Sequence, residues 1–166
     1  FQMPFLARWP AAITPGTVCA DIACNVDFAP TFLDVARLPI PNYMQGRSLR
    51  ALLTARTPPD WPQLAYHRYW MHRDEWHNAY AHYGVRDRRY KLIHWYNQGL
   101  GATGSQPGGE PPEWEFFDCE ADPLELFNAA AEPRYRVEVE RMLTALEGEM
   151  ARIGDVPVHA PGGPFA

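Results

Sequence analysis

The stretch Ala79-Tyr80-Ala81-His82-Tyr83-Gly84-Val85-Arg86-Asp87-Arg88-Arg89-Tyr90-Lys91-Leu92-Ile93-His94-Trp95-Tyr96 decides the fold of the second half of the chain. Ala79–Arg86 and Arg89–Tyr96 are short, rich in aromatic and β-branched residues, and read as strands. Asp87-Arg88 between them is short enough for a hairpin turn. Working outward, Leu64–Trp70 is a strand on one side and Glu113–Asp118 a strand on the other. Glu132-Pro133 opens a last helix reaching Ile153, with Val139, Met142, Leu143, Leu146, Met150 and Ile153 forming one apolar stripe. The predicted arrangement is α+β: a small four-stranded antiparallel sheet with a C-terminal helix packed on one face.

Upstream, Thr57-Pro58-Pro59-Asp60-Trp61-Pro62 is the strongest boundary signal and divides the chain into 1–60 and 61–166. In the first part, Phe5–Trp9 reads as a buried strand between Pro4 and Pro10. A strand so near residue 1 has no earlier neighbour for its ladder, so the chain is expected to be the tail end of a longer one. Asp21–Val26 is a second short apolar segment. Asp27 is placed to cap a helix running to Ala36, with Pro30 in the first turn. Gly46-Arg47-Ser48 precedes a short helix over Leu49–Thr54. Gly99–Pro112 is expected to be a mobile loop and Val156–Ala166 a draping tail.

Composition narrows the function. Among 166 residues, 46% are hydrophobic and the formal charge is −5, which fits a folded domain and disfavours a nucleic-acid partner. No apolar run of about 18 residues is present, so no membrane span is expected. Phe1-Gln2-Met3-Pro4 lacks the pattern of a signal peptide. Cys19, Cys24 and Cys119 cannot all pair with one another and lack a zinc-ligand spacing, which leaves buried free thiols as the expectation.

The segment Tyr66–His82 concentrates the chemistry: His67, His72, His77 and His82 with Asn78, Trp70 and Trp76. Five-residue spacing in an extended chain alternates faces, so the histidines are not expected to share a metal. Neutral imidazoles and carboxamides both donate to and accept from hydroxyls, and the indole of Trp70 or Trp76 is able to offer an apolar face to a sugar ring.

Four stretches together resemble the C-terminal portion of a type I sulfatase, in the alkaline-phosphatase-like superfamily. They are Pro4–Pro10 with Pro15-Gly16; Asn25–Ala36 followed by Gln45-Gly46-Arg47-Ser48-Leu49; His82–Arg86 with Arg89–Ile93; and Trp114–Asp118 with Glu120, Asp122-Pro123, Glu125 and Asn128. Arg37 departs from the pattern, standing where the family commonly has glycine. The resemblance implies the end of a truncated α/β sulfatase domain followed by the sheet-and-helix subdomain. It implies that the loop before His82 reaches over the active-site cleft, with His77, His82, His72 and Asn78 as substrate-binding residues.

It also implies cleavage of sulfate esters by a formylglycine made in a Cys/Ser-x-Pro-x-Arg motif, beside a calcium ion. Cys19, Cys24 and Cys119 do not fit that motif, so formylglycine and calcium are expected in a missing N-terminal catalytic portion. No residue of this chain is assigned a catalytic or metal-binding role, and the chain alone is expected to be inactive. The expected partners are that portion and a sulfated small molecule or saccharide. The alternatives are a fragment of a related phosphodiesterase or phosphonate hydrolase, and a non-catalytic carbohydrate-binding or scaffold module. Localisation stays open, with a periplasmic or secreted setting admitted by the resemblance.

Overall fold

Four strands, β1 (Ala65–Tyr69), β2 (His82–Arg86), β3 (Tyr90–Trp95) and β4 (Glu113–Asp118), make one sheet in the order β1-β2-β3-β4. They come from a computed structural model that describes residues 3–165, so the readings placed on Phe1, Gln2 and Ala166 lie outside the described residues. Chain contacts separate the molecule into two units, divided between Ala65 and Tyr66.

In the second unit, β2 and β3 pair antiparallel with Tyr83 opposite His94 and Val85 opposite Leu92. β3 and β4 pair antiparallel with Leu92 opposite Phe116 and His94 opposite Trp114. Residues opposite each other share a face, so Tyr83, Val85, Leu92, His94, Trp114 and Phe116 line one side. The helix α1 (Phe28–Val35) and the short α2 (Arg50–Leu53) belong to the first unit; α3 (Arg136–Ile153) follows the sheet. Tyr135, just before α3, packs against Phe116 with the rings tilted by 50° and their centroids 5.5 Å apart, which puts α3 on that face. Val139, Met142, Leu146 and Met150 are fully buried there, as the sequence stripe requires. Gly154 ends the helix in the left-handed conformation, φ 75°, a cap glycine reaches without strain.

The opposite face carries the other alternate residues: His82 pairs with Trp95 and Gly84 with Ile93. The segment between Gly99 and Pro112, expected to be mobile, is instead tied down. Gly99 N–H donates to Pro107 O, Ser105 N–H to Ala102 O, and Asn97 Nδ2 to Pro111 O. The tail is fastened as well: Asp155 accepts from Tyr66 and pairs with Arg68, and Tyr83 Oη lies 2.6 Å from His159 Nδ1.

In the first unit, Phe5–Trp9 is not a strand; Leu6 is 94% exposed, and the segment joins no ladder with the described residues. A 3₁₀ turn over Asn25–Asp27 leads into α1. Asp27 is buried, and its carboxylate accepts from the Cys24 and Arg47 N–H groups at 2.8 Å each, tying the start of α1 to the loop before α2. Thr31 repeats the tie, donating to Asp27 O at 2.6 Å and accepting from Leu49 N–H at 2.8 Å. Gly46 is required between them, because a Cβ there would stand 2.2 Å from the Val26 carbonyl oxygen. Arg37 adopts φ 58°, the left-handed position past α1 that glycine enters freely. Leu49, Leu52 and Trp61 form the core of this unit, with Phe28 and Leu53 against it.

Candidate functional site

β1 and β2 are joined by a loop, residues 70–81, whose shape is set by one buried carboxylate. Asp74 Oδ1 accepts the backbone N–H groups of Trp76 and His77 at 3.0 Å each, an Asx turn that reverses the chain. Its Oδ2 accepts the Tyr69 hydroxyl. Arg73 and Asn78 on either side take positive φ, 50° and 47°. The loop is closed by Arg73 N–H to Ala79 O at 2.6 Å and Asn78 N–H to Asp74 O at 2.9 Å. The Tyr69 hydroxyl and the Trp76 and His77 N–H groups hold the Asp74 carboxyl down to about 2, against the opposing effect of burial.

His77 presents its ring at the loop tip, with 70% of the side chain exposed. Its Nδ1 lies 3.0 Å from Asp74 Oδ1. Trp76 beside it is 86% exposed, and Trp70 and Tyr80 are also open to solvent. Asn78 is exposed, and its left-handed backbone suits a residue that tolerates that region.

His82, at the start of β2, is half-buried on the sheet face away from α3. Its ring centroid lies 4.3 Å from Trp95 and 5.7 Å from Tyr69, and its Nδ1 is 2.8 Å from Tyr80 O. Burial lowers its pKa and that of His67, whose ring lies 5.5 Å away. Tyr69 therefore bridges His82 and His77, the latter with its ring 6.3 Å off. Tyr69 thus brings the His77 and His82 rings to one end of the sheet, and Asn78 follows His77 in the exposed loop.

His72 does not join them. It is fully buried, its Nδ1 accepts from Ala81 N–H at 3.2 Å, and its Nε2 lies 3.4 Å from Glu110 Oε2. Its backbone oxygen accepts from Gln106 N–H at 2.8 Å, so His72 pins the 99–110 segment beneath the loop. The spacing of histidines gave no sign of this inward turn. Sequence reasoning gave Tyr69 and Asp74 no role in the site, although Asp74-Glu75-Trp76-His77 carries the Asx-turn pattern.

No three His, Cys, Asp or Glu side chains converge on a metal-sized site among the described residues. Asp34 is engaged by Ser48 and Arg50, Asp60 by Arg47, and Asp74 by Tyr69 and His77. The oxygen-rich cage that calcium demands does not fit these residues. Cys19 is exposed and Cys24 and Cys119 half-buried, which corrects the expectation of buried thiols.

The family model for the C-terminal region of N-sulphoglucosamine sulphohydrolase matches residues 1–152. An N-acetylglucosamine-6-O-sulfatase of Bacteroides thetaiotaomicron is 38% identical over 148 residues, covering 88% of this chain and 24% of that protein. A solved structure of BT4656 in complex with its substrate D-glucosamine-2-N,6-O-disulfate aligns with a TM-score of 0.78 at 36% identity, covering 89% of this chain and 28% of that one. The phosphonate monoester hydrolase of Agrobacterium radiobacter shares the fold, with a TM-score of 0.58 at 23% identity, over 76% of this chain and 24% of that one. The chain thus spans about a quarter of the length of these relatives. It belongs to the N-sulphoglucosamine sulphohydrolase C-terminal family.

Proposed function

We propose that this chain is the substrate-contacting C-terminal part of a sulfuric ester hydrolase that acts on a sulfated saccharide. The observation that carries the reading is the grouping of the His77 and His82 rings around Tyr69, beside exposed Trp76 and Asn78, in a chain whose saccharide-bound relative superposes at a TM-score of 0.78. Imidazole and carboxamide groups bond sugar hydroxyls in either sense, and the indole gives the ring an apolar platform. His72 supports the loop from below and makes no substrate contact in this reading.

The attacking group and the cation belong, in this reading, to residues outside the chain. Neither Cys19, Cys24 nor Cys119 stands in a Cys-x-Pro-x-Arg sequence, and the acidic side chains named above are already engaged. Residues 1–60 then end the catalytic α/β domain and residues 61–166 form its smaller companion. Leu6, Val18 and Phe32, all largely exposed in the first unit, supply apolar surface for such a domain to cover. The phosphonate hydrolase likeness is one of fold and adds no chemistry to the loop.

Calorimetric titration of the purified chain with N-acetylglucosamine 6-sulfate tests the reading. Binding that His77→Ala and His82→Ala each weaken at least tenfold, about 1.4 kcal/mol, is the expected result. Absence of binding, or binding indifferent to both substitutions, contradicts it.

A further inference from the structure

Resting on the reading of His77 as a saccharide contact, we propose that Asp74 is the positioning residue of that contact. With Tyr69 it fixes the His77 ring with Nδ1–H turned inward, so that Nε2 is presented as an acceptor for an unsulfated sugar hydroxyl.

The assignment follows from donors and acceptors. An ionised carboxylate can only accept, so His77 Nδ1, 3.0 Å from Asp74 Oδ1, must carry the ring proton. Tyr69 Oη lies 3.3 Å from the same nitrogen, but its hydrogen is directed to Asp74 Oδ2. With Nδ1 protonated in the neutral ring, Nε2 on the far side is an acceptor. Asp74 is buried while His77 is exposed, so an anchored partner orients a presented one.

Charge decides which part of a saccharide this corner suits. Arg73 brings one positive group, whereas Asp74, exposed Glu75 and Glu110 bring three negative ones, with Glu110 paired to Arg73 at 3.1 Å. Even with His77 protonated, the Asp74–His77 pair is no better than neutral. An anionic sulfate is repelled at such a place, and a neutral hydroxyl is not. The sulfate therefore lies away from His77, and His77 reads the unsulfated edge of the sugar.

The test needs no other part of the enzyme. Asp74→Asn keeps an oxygen for the Trp76 and His77 N–H groups but removes the anionic acceptor. Tyr69→Phe removes one bond and leaves the turn whole, which guards against a misfolded first variant. In ¹⁵N-detected NMR of the wild-type chain, His77 is expected as the Nδ1–H tautomer. Asp74→Asn should release it toward Nε2–H, and Tyr69→Phe should do so to a smaller extent. Affinity for N-acetylglucosamine 6-sulfate and for unsulfated N-acetylglucosamine should fall by the same factor in Asp74→Asn, about tenfold.

A wild-type ring in the Nε2–H form overturns the proposal. So does an Asp74→Asn chain that binds both sugars normally while His77→Ala does not, or a loss confined to the sulfated sugar. A wild-type chain that binds neither sugar overturns the pocket reading itself and the sugar contact with it. The middle outcomes remove only the role of Asp74 and leave that reading standing.

Discussion

Gly84 on β2 approaches β3 so closely that a Cβ added to it would stand 2.3 Å from the carbonyl oxygen of Leu92. Contacts under 3 Å with backbone force a shift, and here the backbone is a ladder strand. Gly84 lies two residues beyond His82 on the same face, so the shift reaches the candidate site. Gly84→Ala is expected to destabilise the chain by about 2–3 kcal/mol in urea unfolding and to weaken saccharide binding with it. A variant of wild-type stability would contradict the close packing.

The helix side of the sheet should respond differently. Leu146 is fully buried on α3, across the sheet from His82. Leu146→Ala should lower stability by about 3 kcal/mol through lost burial and the cavity left behind. The fraction that stays folded should bind saccharide with unchanged affinity, because the deletion is on the other face. A stability-neutral change would mean that α3 is not seated there.

His94 makes stability depend on pH. Burial, with a smaller contribution from nearby His159, pushes its pKa from the ordinary 6.5 down to about 4. Trp114, Tyr83 and His159 are the rings that face it. Between those values the unfolded chain binds the proton and the folded chain does not, so stability is full above pH 6.5 and falls as the pH drops toward 4. The loss should approach about 3 kcal/mol by pH 4. His94→Phe should flatten that slope in denaturation curves taken from pH 7 to 4; a slope unchanged by the substitution would assign it to other groups.

Glu110 joins the two loops. Its Oε1 pairs with Arg73 at 3.1 Å and its Oε2 lies 3.4 Å from His72 Nε2. Glu110→Ala should speed hydrogen exchange of the Gln106 and Ala81 amides by about tenfold while shifting the global melting temperature little. These amides donate to His72 O and His72 Nδ1. Unchanged exchange would show that the strap is held by backbone bonds alone.

The sheet and last helix were legible because their signals are local and repeated. Glu113–Asp118 is observed with the predicted bounds, and the helix ends at Ile153 as its stripe requires. β2 is shorter than predicted, starting at His82 rather than Ala79. The missing residues close the loop instead, with Ala79 O accepting from Arg73 and Ala81 N–H given to His72. Phe5–Trp9 misled because an apolar run between prolines reads as a strand whether or not a neighbour is present to complete the ladder. In the site, residue type pointed to His77 and His82. The direction a side chain turns depends on partners far along the chain, so the pairing of His72 with Glu110 could not be read from spacing. The Asp74 bond to Tyr69 joins the end of β1 to the loop beyond it, and residue spacing carries no sign of it.

In the proposed function, the loop between β1 and β2, with the start of β2, is the surface that meets the sugar. Amide chemical-shift mapping of the labelled chain with N-acetylglucosamine 6-sulfate tests it most directly. Perturbations concentrated over Trp76–His82 and at Trp95 are the predicted result. Perturbations confined to α3, over Val139–Met150, would contradict it.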